Sequence, residues 1–280
     1  MNSSDILSFV TFAYCAMTVL YLVSWLFKKP GAAKVASGVA WVGFSANLIG
    51  ILLRWYESHR MGFGHAPLSN LYESLIFFSM TITFLFLVVE KKYDNRTIGA
   101  FISPLAFLAI AYASLSPSIS DHIRPLIPAL KSNWLFAHVV TCFIGYSGFA
   151  IAFGLSIMYL LKQKSKSGPG GLMDKLPELP VIDELTHRMV LFGFLFLSVG
   201  IITGAVWANS AWGRYWGWDP KETWSLITWF IYATLLHARL MRGWGGNRIA
   251  YLSISGFLAM LFTYFGVNLL PGLHSYGGMG

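Results

Sequence analysis

Apolar residues fall along this chain in eight long runs, separated by short polar stretches that carry most of its charge. The runs cover Ile6–Phe27, Val35–Leu53, Leu71–Val89, Ile98–Leu115, Trp134–Leu161, Leu185–Trp207, Trp224–Met241 and Ile249–Leu270. Each approximates the roughly 20 apolar residues that a helix needs to cross the hydrocarbon of a bilayer. Backbone polar groups must be satisfied within the segment there, so helices are the expected form. The pattern predicts an all-α, polytopic integral membrane protein with about eight transmembrane helices. The first run has no basic region ahead of it and is longer than a signal-peptide core, so it reads as a retained span.

Composition agrees. With 56% hydrophobic and 11% charged residues in 280, the chain carries more apolar surface than one soluble core can bury. Of the 20 Lys and Arg, fourteen lie on one side of the alternating topology; Arg54, Arg60, Arg124, Lys131, Arg214 and Lys221 lie on the other. The positive-inside rule makes the richer side cytoplasmic and turns both termini outward. The net charge of +8 is therefore a topology signal, scattered over short loops, and gives no support to nucleic-acid binding. The stretch 162–184, rich in Lys, Gly and Pro, reads as a cytoplasmic linker between an N-terminal membrane half, 1–161, and a C-terminal half, 185–280. Both cysteines, Cys15 and Cys142, sit in apolar runs, and no C-x-x-C-H occurs. The chain thus has no disulfide framework and no site for covalent heme of its own. Phosphate-binding and zinc-hydrolase motifs are also missing.

Six of the eleven tryptophans fall between Trp207 and Trp229, around W-G-R-Y-W-G-W-D-P-K-E-T-W, which reads as an external loop, 207–229. Indoles combine wide apolar faces with one N–H donor, which suits a large planar ligand with a polar edge, and heme fits that description. Interfacial belts also use tryptophan, at both ends of membrane helices. His138, near the outer end of the fifth run, and His274, after the eighth, share the loop's side of the membrane. Neutral imidazoles from separate helices are suited to clamp opposite faces of a porphyrin. His237 lies about 20 Å down the seventh run, counting about 1.5 Å per residue from Trp224. Such a group is either functional or bonded to a neighbouring helix. His59, His65, His122 and His187 read as surface or capping residues. Asp219 precedes a proline, so it starts a turn or orients a ligand group. Glu73 at the start of the third run has no assigned role.

These residues resemble the CcsA or ResC type of heme-handling protein of system II cytochrome c biogenesis, over nearly the whole chain. The most specific element is W-G-R-Y-W-G-W-D-P-K-E-T-W-S-L-I-T-W, Trp212 to Trp229, which is similar to that family's WWD signature. P-L-S-N-L-Y-E-S at Pro67, G-I-I-T-G-A-V-W-A-N at Gly200, L-L-H-A-R at Leu235 and G-L-H-S-Y-G at Gly272 support it. System I relatives of the CcmC and CcmF types share the aromatic core but differ after the aspartate. The resemblance implies a bacterial inner-membrane or thylakoid protein acting within a holocytochrome c synthase, or heme lyase, together with a CcsB/ResB-type membrane protein. It implies reversibly bound heme b with reduced iron, held at an outer site by His138 and His274 against Trp207, Trp212, Trp216, Trp218 and Trp224, with Asp219 in the same loop. His237 matches an inner intramembrane histidine, whose counterpart the partner supplies. The other reactant is an apocytochrome c C-x-x-C-H segment. Arg214 and Lys221 either pair with heme propionates or are solvated. A heme exporter without ligation chemistry and a b-type electron-transfer cytochrome are the alternative functions.

Overall fold

The computed structural model describes residues 2–165 and 171–270. It is all-helical, with eight α-helices among the described residues: α1 (Ser3–Leu26), α2 (Pro30–Arg60), α3 (Leu71–Tyr93), α4 (Gly99–Leu115), α5 (Asn133–Lys164), α6 (Leu179–Trp212), α7 (Pro220–Arg242) and α8 (Asn247–Tyr264). The eight expected spans all become helices, and several run past the apolar stretch. α2, for instance, continues to Arg60, because nothing between Leu53 and Gly62 breaks a helix. Among the described residues, seven helices are long and apolar enough to cross a membrane. The exception is α7, whose first turn carries Lys221, Glu222 and Thr223 and whose last turn carries Arg239 and Arg242.

Helix starts follow their sequences. Asn70 caps α3 by accepting from the Glu73 N–H at 2.9 Å, and Asp219 caps α7 with Pro220 in the first turn. α7 ends at Gly243, whose φ of 61° is the left-handed conformation that glycine adopts without a Cβ penalty.

The chain divides into two compact units. One comprises Met1–Pro125 with Leu160–Leu179, and the other Leu126–Tyr159 with Pro180–Gly280. In the first, α1 packs on α2 and α4, and α3 packs on α4 and α2. Its interior contains an ion pair, Arg54 Nε to Glu73 Oε1 at 2.8 Å, with the two side chains only 2% and 1% exposed. Arg54 also donates to the Asp121 carbonyl at 2.6 Å, and its guanidinium lies 5.1 Å from the centre of the Tyr72 ring. The Glu73 carboxylate accepts in addition from the N–H and hydroxyl of Ser69. The P-L-S-N-L-Y-E-S segment thus supplies a buried clamp, and Glu73 has its partner on α2. His65, expected at the surface, is buried, and its Nε2 lies 2.9 Å from the Arg124 carbonyl. Within the stretch expected to be a linker, Leu172–Lys175 form a 3-10 turn, and Lys162 Nζ donates to the carbonyls of Leu176 and Pro177 just after it.

The second unit holds most of α5 together with α6, α7 and α8. Phe149 on α5 stacks face to face on Tyr232 of α7, with centroids 3.6 Å apart. α5 and α6 meet along glycines: a Cβ on Gly145 would stand 2.9 Å from the Gly193 carbonyl and the Leu197 nitrogen, so the two backbones touch. Small residues permit this close approach where apolar driving force between helices is weak. At one end of α6, Asp183 accepts from Arg239 at 2.6 Å and from the Gly246 N–H at 2.9 Å.

Candidate functional site

His138 stands in the second turn of α5, on the face that α5 turns to α6. Along that face the residues are His138, Cys142 and Gly145; the matching face of α6 carries Gly200, Gly204 and Trp207. Both sets follow the i, i+4, i+7 spacing of one helical stripe. His138 Nδ1 lies 2.7 Å from the Gly200 carbonyl and 3.6 Å from Cys142 Sγ. A carbonyl only accepts, so Nδ1 carries the proton and donates. In the neutral ring the lone pair is then on Nε2, the tautomer suited to bind a metal. Trp207 lies nearly parallel to the imidazole, at 14° with centroids 6.2 Å apart. Its Nε1 donates to the Ala129 carbonyl at 2.9 Å, and Trp212 meets it edge to face at 4.9 Å.

The tryptophan-rich stretch is less of a loop than expected. Trp207 and Trp212 close α6, Trp224 and Trp229 belong to α7, and the connection proper is residues 213–219. Helix persists to Trp212 until Gly213, at φ 74°, ends it. Within the connection Trp216 and Trp218 form a T-shaped pair with centroids 5.7 Å apart. Trp218 is 69% exposed and takes a left-handed φ of 56°, a conformation costly for a bulky residue and frequent at functional sites. Trp216 Nε1 is buried with no hydrogen-bond partner among the described residues. Arg214 folds over Gly217, where a Cβ would stand 2.7 Å from its guanidinium carbon.

Asp219 is buried and caps α7, its carboxylate accepting from the Lys221 N–H at 2.8 Å. Glu222 reaches back to the N–H groups of Gly217 and Asp219, completing a capping box that holds the connection against the helix. Lys221 Nζ lies 3.4 Å from Asn268 Oδ1, and burial holds its ammonium below the usual amine range against an opposing pull from Asp219. Trp224 packs against Phe262 of α8, with ring centroids 4.2 Å apart. His237 is exposed on α7, in a stripe with Ile227, Phe230, Thr234 and Met241. His274 lies outside the described residues.

So the structure gathers His138, Trp207 and Trp212 in one cluster, pairs Trp216 with Trp218, and gives Asp219 a capping role. Sequence reasoning passed over Cys142, Gly200 and Gly204, although their helical spacing relative to His138 and Trp207 was a legible signal. Among the described residues no three or more His, Cys, Asp or Glu gather around one point. The donors present, one imidazole lone pair, broad indole faces and an unsatisfied buried indole N–H, fit a porphyrin, which brings four of its own nitrogens to the iron.

The family model for the cytochrome C assembly protein matches residues 68–274. The chain belongs to this family. The matched region contains every candidate site residue named above. Among its relatives is the cytochrome c biogenesis protein CcsA of Chlamydomonas reinhardtii, 45% identical over 232 residues, covering 81% of this chain and 64% of that protein. The CcsA of Guillardia theta is 38% identical and aligns over 99% of this chain and 96% of its own length. That of Synechococcus sp. (strain CC9902) is 39% identical and covers 89% of this chain and 88% of its own. Among solved structures, the cytochrome c heme lyase CcmF superposes with a TM-score of 0.71 at 18% identity. It covers 96% of this chain, which spans half of that protein's length, and it establishes a shared fold.

Proposed function

We propose that this chain binds heme reversibly through His138 Nε2 and takes part in joining it to C-x-x-C-H segments of apocytochrome c, as one subunit of a holocytochrome c synthase. The observation that carries this is the His138 imidazole, proton-locked by the Gly200 carbonyl at 2.7 Å and backed by Trp207, inside a chain of the cytochrome c assembly family. Heme b with reduced iron is the substrate form, and its two vinyl groups are the electrophilic carbons. Each thiol addition forms one C–S and one C–H bond as a vinyl π bond and an S–H bond are lost, so no oxidant is consumed. The protein's contribution is to hold both reactants in register. His138 would hold the iron through Nε2, with His274 as the second imidazole in this reading, and the C-x-x-C-H histidine of the apocytochrome would take over from one of them at release. Trp216 offers its buried N–H and Trp218 its exposed face to the macrocycle. Asp219 and Glu222 keep the connection 213–219 in place by capping α7.

The same reading puts the aromatic connection and both termini on the extracytoplasmic or lumenal side of a bacterial inner or thylakoid membrane, which the distribution of Lys and Arg supports. It also uses a CcsB/ResB-type partner. His237 on an outward stripe of α7 supports that, because an imidazole facing lipid is costly unless another protein covers it. The test is reconstitution of the chain with its partner, hemin, a reductant and a C-x-x-C-H peptide. Thioether-linked heme that disappears in His138→Ala is the expected result. Heme binding without thioether formation in the wild type would leave an exporter, and quinol oxidation would favour an electron-transfer cytochrome.

A further inference from the structure

Three residues of the G-I-I-T-G-A-V-W segment surround the His138 ring, and what they do together goes beyond the single bond to Gly200. Gly200 supplies the carbonyl that takes the Nδ1 proton. At Gly204 an added Cβ would stand 2.6 Å from His138 Nδ1 and 2.8 Å from Cε1, closer than any side chain is tolerated, so the ring occupies the space a side chain would fill. Trp207, one turn further, lies along the ring plane and is itself fixed by its bond to the Ala129 carbonyl. The approach is set further down the same seam. Gly145 and Gly193 bring the backbones into contact, and Gly200 accommodates Cys142 Sγ, which an added Cβ would meet at 2.6 Å. The hydrogen bond to Gly200 is therefore a product of helix spacing.

We infer that the glycine seam of α5 and α6, ending in Gly204 and Trp207, is a positioning device for the iron ligand. It selects the Nδ1–H tautomer of His138, sets the plane of the ring and leaves Nε2 as the donor atom. This rests on the reading of His138 as a heme ligand and adds residues that touch the ligand rather than the heme. A firm bond at the distal ring nitrogen raises the basicity of the coordinating one, and loss of such outer-shell support typically costs about 10–100-fold in metal affinity.

The test titrates reduced hemin into the full-length chain, purified with its partner, and follows the absorption bands of the bis-nitrogen-ligated iron. His138→Gly should lose the wild-type spectrum and regain it with added imidazole. Gly204→Ala should bind about 10–100-fold more weakly with a shifted spectrum. The decisive variant is His138→Gly with Gly204→Ala: the methyl group now intrudes where free imidazole must sit, so recovery should need at least about tenfold more imidazole than His138→Gly alone. Equal imidazole requirements in the two variants, or wild-type affinity and spectrum in Gly204→Ala, would overturn the inference. An unchanged spectrum in His138→Gly would instead remove His138 as ligand, a distinguishable failure. Should Gly204→Ala not insert, Trp207→Phe against Trp207→Leu decides. Phe keeps a stacking ring and the spectrum, Leu shifts it, and identical spectra for the two would sink the proposal.

Discussion

Removing the Glu73 carboxylate is the perturbation that probes the first unit most directly. In Glu73→Ala, Arg54 loses the oxygen at 2.8 Å from its Nε, and Ser69 loses the acceptor of both its N–H and its hydroxyl. Arg54 retains the Asp121 carbonyl and the Tyr72 face, but neither neutralises its charge. With the pair only 2% and 1% exposed, water cannot replace the missing partner without opening the packing. Leaving one member of a buried pair alone costs about 3–5 kcal/mol, roughly two to four orders of magnitude in the folding equilibrium. Arg54→Met combined with Glu73→Leu removes both charges at similar volume and should lose far less than either single truncation. Thermal unfolding of the purified chain in detergent, followed by circular dichroism, measures Glu73→Ala, Arg54→Ala and the double variant under one condition. The reasoning is refuted if Glu73→Ala unfolds with the wild type, or if the double variant falls below both singles.

Other outcomes follow from the second unit. Asp219→Ala should cost about 0.5–2 kcal/mol through loss of the α7 cap, with Asp219→Asn near wild type; a stable Asp219→Asn that forms no thioether would give the carboxylate a role beyond capping. Trp218→Gly should change stability little, because relief of the left-handed φ, about 1–2 kcal/mol, is offset by the lost ring pair with Trp216 and glycine's greater freedom when unfolded, while it weakens hemin retention in a titration. His237→Ala should leave the melting temperature of the isolated chain nearly unchanged, within about 0.5 kcal/mol, because the residue is exposed. The same variant should reduce heme recovered with the copurified partner complex, and a full heme complement would remove His237 from the route.

Much of this protein was legible before any coordinates. Eight helices follow from eight apolar runs, since a chain in hydrocarbon has to satisfy its backbone within each segment. The concentration of indoles is a local pattern, visible as such; the cap that Asp219 forms with Glu222 three residues on is local too, although in the sequence the Asp-Pro pair reads only as a turn start or a ligand-orienting group. What escaped was whatever depends on the rotational phase and spacing of one helix against another. Nothing in the run around Arg54 says that it pairs with Glu73 across α2 and α3, and only packing turned His237 outward. Where the aromatic stretch stops being helix is by contrast a local matter set at Gly213, which the reading of 207–229 as one loop passed over. Of what packing decides, the tautomer of His138 is the clearest case. Its imidazole is visible in the sequence, but the proton's place on Nδ1 comes from a Gly200 carbonyl 62 positions away, brought within 2.7 Å because facing glycines let two helices touch.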